Sequence, residues 1–133
     1  MNVLIDEING GLGVIVRNLD PEEASERRSW ECLREAFLTR HVLCLRGWPV
    51  SPQGFIKFTQ YFGEPQVQLL SDYHLEDHPE ISVISNYNKI GGVNPHVRAT
   101  YWHTDDSYFA CPAKATALCA QALPSAGGDT AFI

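Results

Sequence analysis

Trp102-His103-Thr104-Asp105 and, further along, Gly127-Gly128-Asp129-Thr130 are the stretches around which this chain is organised. In an extended segment residues i and i+2 point the same way, so His103 and Asp105 can offer an imidazole nitrogen and a carboxylate oxygen to one metal ion. A second histidine would complete the 2-His-1-carboxylate set that holds non-haem Fe(II) with open positions. That second histidine is not evident in the sequence, and the functional reading turns on it. By itself H-x-D also describes an ordinary surface histidine beside an acid.

Outward from this stretch, Tyr108 to Pro112 reads as a turn and Lys114 to Leu123 as a strand rich in small residues. Pro124 to Gly128 is a second turn, and Asp129 to Ile133 begins a further strand. A chain that stops inside an apolar strand, without a polar tail, is expected to be truncated there. Upstream, Asn86 to Arg98 carries Gly91-Gly92 and Asn94-Pro95 and reads as a loop. Ile81 to Ser85 alternates as a half-buried strand, and Glu64 to Pro79, broken by Pro65, Asp72 and Asp77, is expected to be a long loop of the kind that carries function.

The N-terminal half is built of alternating strands and helices. Val3-Leu4-Ile5 and Val14-Ile15-Val16 are β-branched runs joined by Gly10-Gly11-Leu12-Gly13, a strand, turn and strand. No Lys-Ser/Thr follows those glycines, so they do not make a phosphate loop. Asp20-Pro21-Glu22-Glu23 is a good helix start, and the helix should run to about Arg40. Trp30, Leu33, Ala36 and Phe37 form its apolar stripe, leaving Arg27, Arg28, Glu31 and Arg34 wet. Val42 to Leu45 reads as a buried strand ended by Gly47-Trp48-Pro49. Ser51-Pro52 opens a second helix with Phe55, Phe58 and Phe62 on one stripe and Gly63 as its stop.

The totals fit one domain, residues 1–133, with roughly two-thirds of the unfolded surface buried. A net charge of −6 without a Lys/Arg cluster argues against a nucleic-acid partner. Met1 to Glu7 lacks the basic-then-apolar pattern of a signal peptide, and no run is apolar enough to span a membrane, so a cytoplasmic protein with no membrane partner is expected. Cys32, Cys44, Cys111 and Cys119 make no C-x-x-C pair and are expected to be reduced, buried small hydrophobes.

Taken together, Trp102-His103-Thr104-Asp105, Ser107-Tyr108, Pro112, Leu118, Leu123-Pro124 and Gly127-Gly128-Asp129-Thr130 resemble the taurine dioxygenase (TauD/TfdA-like) family of Fe(II)- and 2-oxoglutarate-dependent dioxygenases. The helix at Trp30 to Phe37, the strand ending in Arg46-Gly47, and Phe62-Gly63-Glu64-Pro65 extend the resemblance to most of the chain, which matches the N-terminal part of such an enzyme. The resemblance implies an α+β fold: a partial double-stranded β-helix (jelly roll, clavaminate synthase-like) with flanking helices. It implies His103 and Asp105 as iron ligands and Thr130 as the hydrogen-bond donor to a carboxylate of the cosubstrate 2-oxoglutarate. The implied reaction hydroxylates a small organic substrate with O2 while 2-oxoglutarate is oxidatively decarboxylated.

The same resemblance puts the second iron histidine and a carboxylate-binding arginine downstream of Ile133. His41 follows a helix, and His74, His78 and His96 are expected in loops without the strand context of that ligand. Where relatives carry a histidine after F-G-E, this chain reads Gln66-Val67-Gln68, which argues against a sulfonate substrate. His74 and Asn86 are the remaining candidates for pocket residues. Two other readings stand beside the enzyme: a catalytically inactive remnant acting as a binding or interaction domain, and a homo-oligomer that completes the triad in trans.

Overall fold

The computed structural model describes residues 3–8, 10–19, 27–85 and 101–133. The expected helix start at Asp20-Pro21 and the loop holding Asn86 and His96 lie outside the described residues. The chain divides into two compact units, Met1–Tyr61 with Leu118–Ile133, and Phe62–Ala117.

In the first unit, β1 (Leu4–Glu7) pairs antiparallel with β2 (Val14–Arg17), and β2 pairs parallel with β3 (Leu43–Leu45), giving the sheet order β1-β2-β3. Parallel pairing needs a crossover, and α1 (Arg27–Arg40) supplies it. Alternation decides which side of β2 meets the helix. Val14 and Val16 are 2% and 1% exposed, while Arg17 faces solvent. Leu33 of α1 is fully buried on those valines, with Ile5, Trp30, Ala36, Leu43 and Leu45 packed around them. Arg27, Arg28, Glu31 and Arg34 are exposed, as the helical stripe requires.

The helix hands over to β3 through His41, whose φ of 65° is left-handed and whose N–H donates to the Phe37 carbonyl at 2.8 Å. Gly13 is the tight point of this crossing. Its φ is 87°, and a Cβ there would sit 3.2 Å from Val42 Cβ, so both backbone and space call for glycine.

α2 (Pro52–Gln60) is capped by Ser51, whose Oγ accepts the Gly54 N–H at 3.0 Å, with proline in the first turn. It buries Phe58 and Gly54. The Phe58 ring meets Trp48 edge-on at 5.3 Å, and Tyr61 stacks on Trp30 at 3.4 Å. Gly63 does not stop this helix: it ends at Tyr61, whose N–H donates to Phe58, and Gly63 has no left-handed backbone.

The second unit corrects the long-loop expectation for 64–79. Ser71–Tyr73 form a single 3-10 turn, and β4 (His74–Leu75) pairs antiparallel with β5 (His78–Ser82). Asp77, with φ of 65°, turns the hairpin, a conformation aspartate tolerates better than most residues. His74 and His78 are therefore strand residues and not loop residues. The strand expected over 81–85 begins earlier and ends at Ser82.

Residues 101–133 form no strand, against the two expected there. A strand is stable only when a neighbour takes up its N–H and C=O groups, and side-chain pattern alone cannot supply that partner. The cysteines differ as well. All four are free, yet Cys32, Cys111 and Cys119 are exposed and Cys44 is half-buried. Cys32 sits on α1 beside the buried stripe, and the other two exposed thiols belong to the strandless 101–133 stretch. The described residues thus form a partial mixed α+β sheet arrangement with flanking helices, consistent with an incomplete jelly roll.

Candidate metal centre

The Trp102 to Asp105 stretch lies in the second unit and is not a strand: it leads into a turn over residues 105–108. Asp106 takes a left-handed φ of 54°, and its carbonyl accepts the Phe109 N–H at 3.0 Å. The turn brings together what extended alternation was expected to bring. His103 Nε2 lies 3.3 Å from Asp105 Oδ1.

Each partner is oriented by a further group. His103 Nδ1 is 2.9 Å from the Tyr101 carbonyl, which can only accept, so Nδ1 carries a proton. Tyr101 also meets the imidazole edge-on, with centroids 5.6 Å apart. On the other side, the Thr116 hydroxyl donates to Asp105 Oδ2 at 2.9 Å. With the Nδ1 proton spoken for, a neutral His103 turns its Nε2 lone pair toward a carboxylate oxygen. Two electron-rich atoms in that relation attract a proton or a cation between them. Two donors each about 2.1 Å from one ion, at right angles, stand about 3 Å apart. The observed separation fits that geometry.

Asp106 engages Tyr108, whose hydroxyl donates to its Oδ1 at 3.4 Å. The Tyr108 phenol is held above its ordinary pKa by desolvation among its neighbours, then by the carboxylates of Asp106 and Asp105. It is therefore a neutral hydroxyl throughout the physiological range. Asp106 stays out of the His103–Asp105 pair, its carboxylate turned instead to the Tyr108 hydroxyl.

Among the described residues no group of three or more His, Cys, Asp or Glu is placed to hold a metal. His74 Nε2 is 2.7 Å from the Gln68 carbonyl, within the Gln66-Val67-Gln68 stretch that replaces the expected histidine. His41 is exposed at the end of α1. Thr130 belongs to the first unit and is exposed, two residues beyond the left-handed pair Gly127 and Gly128, with φ of 72° and 77°. Sequence reasoning missed Thr116 and the Tyr101 carbonyl. Neither carries a local signal, since the first reaches across eleven residues and the second is main chain.

A family model described as "Taurine catabolism dioxygenase TauD, TfdA family" matches residues 7–133. The chain belongs to this family. Its fold is also similar to a solved structure from Burkholderia xenovorans named as an alpha-ketoglutarate-dependent taurine dioxygenase, with a TM-score of 0.54 and 22% identity. That likeness covers 59% of this chain and 28% of the other, and at this identity it is a likeness of fold. No helix among the described residues of this TauD/TfdA-family chain is long and apolar enough to cross a membrane.

Proposed function

We propose that His103 and Asp105 are two protein ligands of an Fe(II) centre of the TauD/TfdA type, and that Thr130 hydrogen-bonds a carboxylate of 2-oxoglutarate. The observation that carries this reading is the 3.3 Å approach of His103 Nε2 to Asp105 Oδ1, with both side chains steadied from behind. Iron bound with 2-oxoglutarate supplies the O2 chemistry that hydroxylates a small organic substrate. The chain's own residues do the rest. The Tyr101 carbonyl fixes the tautomer that leaves Nε2 as donor, and Thr116 holds the carboxylate.

For the 133 residues on their own, a second reading has the better support: a binding or interaction domain that does not turn over. A third ligand is lacking among the described residues, and the chain spans 28% of the length of the related structure. A two-ligand site binds iron weakly, and β3 at the edge of its sheet is a ready surface for strand pairing with another chain.

Anaerobic Fe(II) titration with and without 2-oxoglutarate separates the two. Tight binding that 2-oxoglutarate strengthens, lost in Asp105→Ala and in Thr130→Ala, together with succinate release once O2 is admitted, supports the dioxygenase. Weak binding indifferent to 2-oxoglutarate supports the interaction domain. Activity that returns on mixing His103→Ala with a second inactive variant supports a triad completed between copies.

A further inference from the structure

We infer that the recess where β2 and β3 end side by side binds the oxyanion of a small molecule, a phosphate or carboxylate group carried beside a flat apolar body. Parallel register pairs Val16 with Leu45, and the Arg46 N–H donates to the Val16 carbonyl at 3.2 Å. The next residues, Arg17 and Arg46, therefore stand abreast. Because Val16 and Leu45 point to the core, Arg17 and Arg46 both point to the opposite face of the sheet.

Adjacent strands are about 4.8 Å apart, and like charges directly opposite one another are destabilising unless something negative joins them. Asp6 meets Arg17 through Nε at 3.1 Å, and Arg46 has no acidic partner among the described residues. Arg17 and Arg46 both line a shallow recess of about 410 Å3. After each arginine the backbone turns left-handed, Asn18 with φ of 57° and Gly47 with φ of 78°, carrying the chain around the recess. Trp48 lines it, and its edge-on contact with Phe58 fixes that ring.

The Arg46 guanidinium, the terminal nitrogens left to Arg17 beyond its Nε contact with Asp6, and the Trp48 indole are suited to an oxyanion with an aromatic or apolar neighbour. This inference does not depend on the iron site, which lies in the other unit.

The test is a titration of the full 133-residue chain with phenyl phosphate, benzoate and inorganic phosphate, followed by the amide signals of Asn18 and Gly47 and the Trp48 indole. Saturable shifts at those three positions are expected, with phenyl phosphate or benzoate ahead of inorganic phosphate. The stronger of the two aromatic probes identifies the oxyanion. Arg46→Ala should weaken binding by about tenfold or more, and Arg46→Lys, which keeps the charge but not the fork, by less. Arg34→Ala, on the wet face of α1, should leave it unchanged. Because Arg46 is exposed, the circular dichroism of these variants should match the parent; Arg46→Gln gives an isosteric second variant. Absence of saturable shifts overturns the proposal, as does binding equal in the parent and in both Arg46→Ala and Arg46→Gln. Inorganic phosphate binding as well as phenyl phosphate removes the role given to Trp48.

Discussion

At the scale of single residues, the pairing of His103 with Asp105 was legible in the sequence, but the geometry that achieves it was not. Spacing of two suggested a strand; the structure uses a turn, and two helpers outside the motif hold the donors in place. Thr116 is the side chain on which this can be tested. Thr116→Val keeps the shape and removes the hydroxyl that fixes Asp105, so Fe(II) affinity should fall by about 10- to 100-fold, as for other partners that orient a ligand. Calorimetric titration measures it, and an unchanged affinity would mean that Asp105 needs no support. Tyr108 offers a second handle. Its phenol gives up its proton at higher pH than an ordinary tyrosine, so spectrophotometric titration should show a late-ionising tyrosine, and Asp106→Asn should bring it down by removing the charge while leaving a neutral oxygen to accept the hydroxyl. The desolvation contribution would remain.

At the scale of elements, β1, β2, α1 and α2 could be read because each carries its own signal: β-branched runs, a helical stripe, and a serine cap before proline. Leu33 shows how well the stripe reports packing, since it is the fully buried residue of α1. Leu33→Ala should cost about 2–5 kcal/mol of stability, read by chemical denaturation. Ser51→Ala at the start of α2 should cost about 1 kcal/mol, because the Gly54 N–H loses its acceptor. What could not be read is equally physical. The hairpin of β4 and β5 is too short for its alternation to register, with two residues on one side and Pro79 on the other. The strands expected over 114–123 and 129–133 carried the right residues, but pairing is a property of the neighbour and not of the segment. The exposed thiols of Cys111 and Cys119 follow from the same cause.

At the scale of the whole molecule, the balance between buried and exposed apolar surface sets the behaviour to expect. Among the described residues the buried hydrophobic side chains are Val14, Val16, Leu33 and Phe58. Against these, Tyr101, Trp102 and Tyr108, close in sequence to His103 and Asp105, are 75%, 62% and 72% exposed, and Leu118, Leu123 and Phe132 are exposed along the strandless stretch. Burial is worth roughly 25 cal/mol per Å2, and a core this small leaves little to set against the entropy of ordering the chain. Apolar surface left in water is also surface offered to another copy. The 133-residue chain should therefore bind a hydrophobic dye strongly, unfold over a broad temperature range, and associate as concentration rises. Sedimentation velocity across a concentration series, alongside calorimetry, tests this directly. A single sharp unfolding transition from a monomer at every concentration would show that the first unit's sheet and its two helices suffice for a stable fold. It would also remove the main physical argument for strand pairing at the β3 edge.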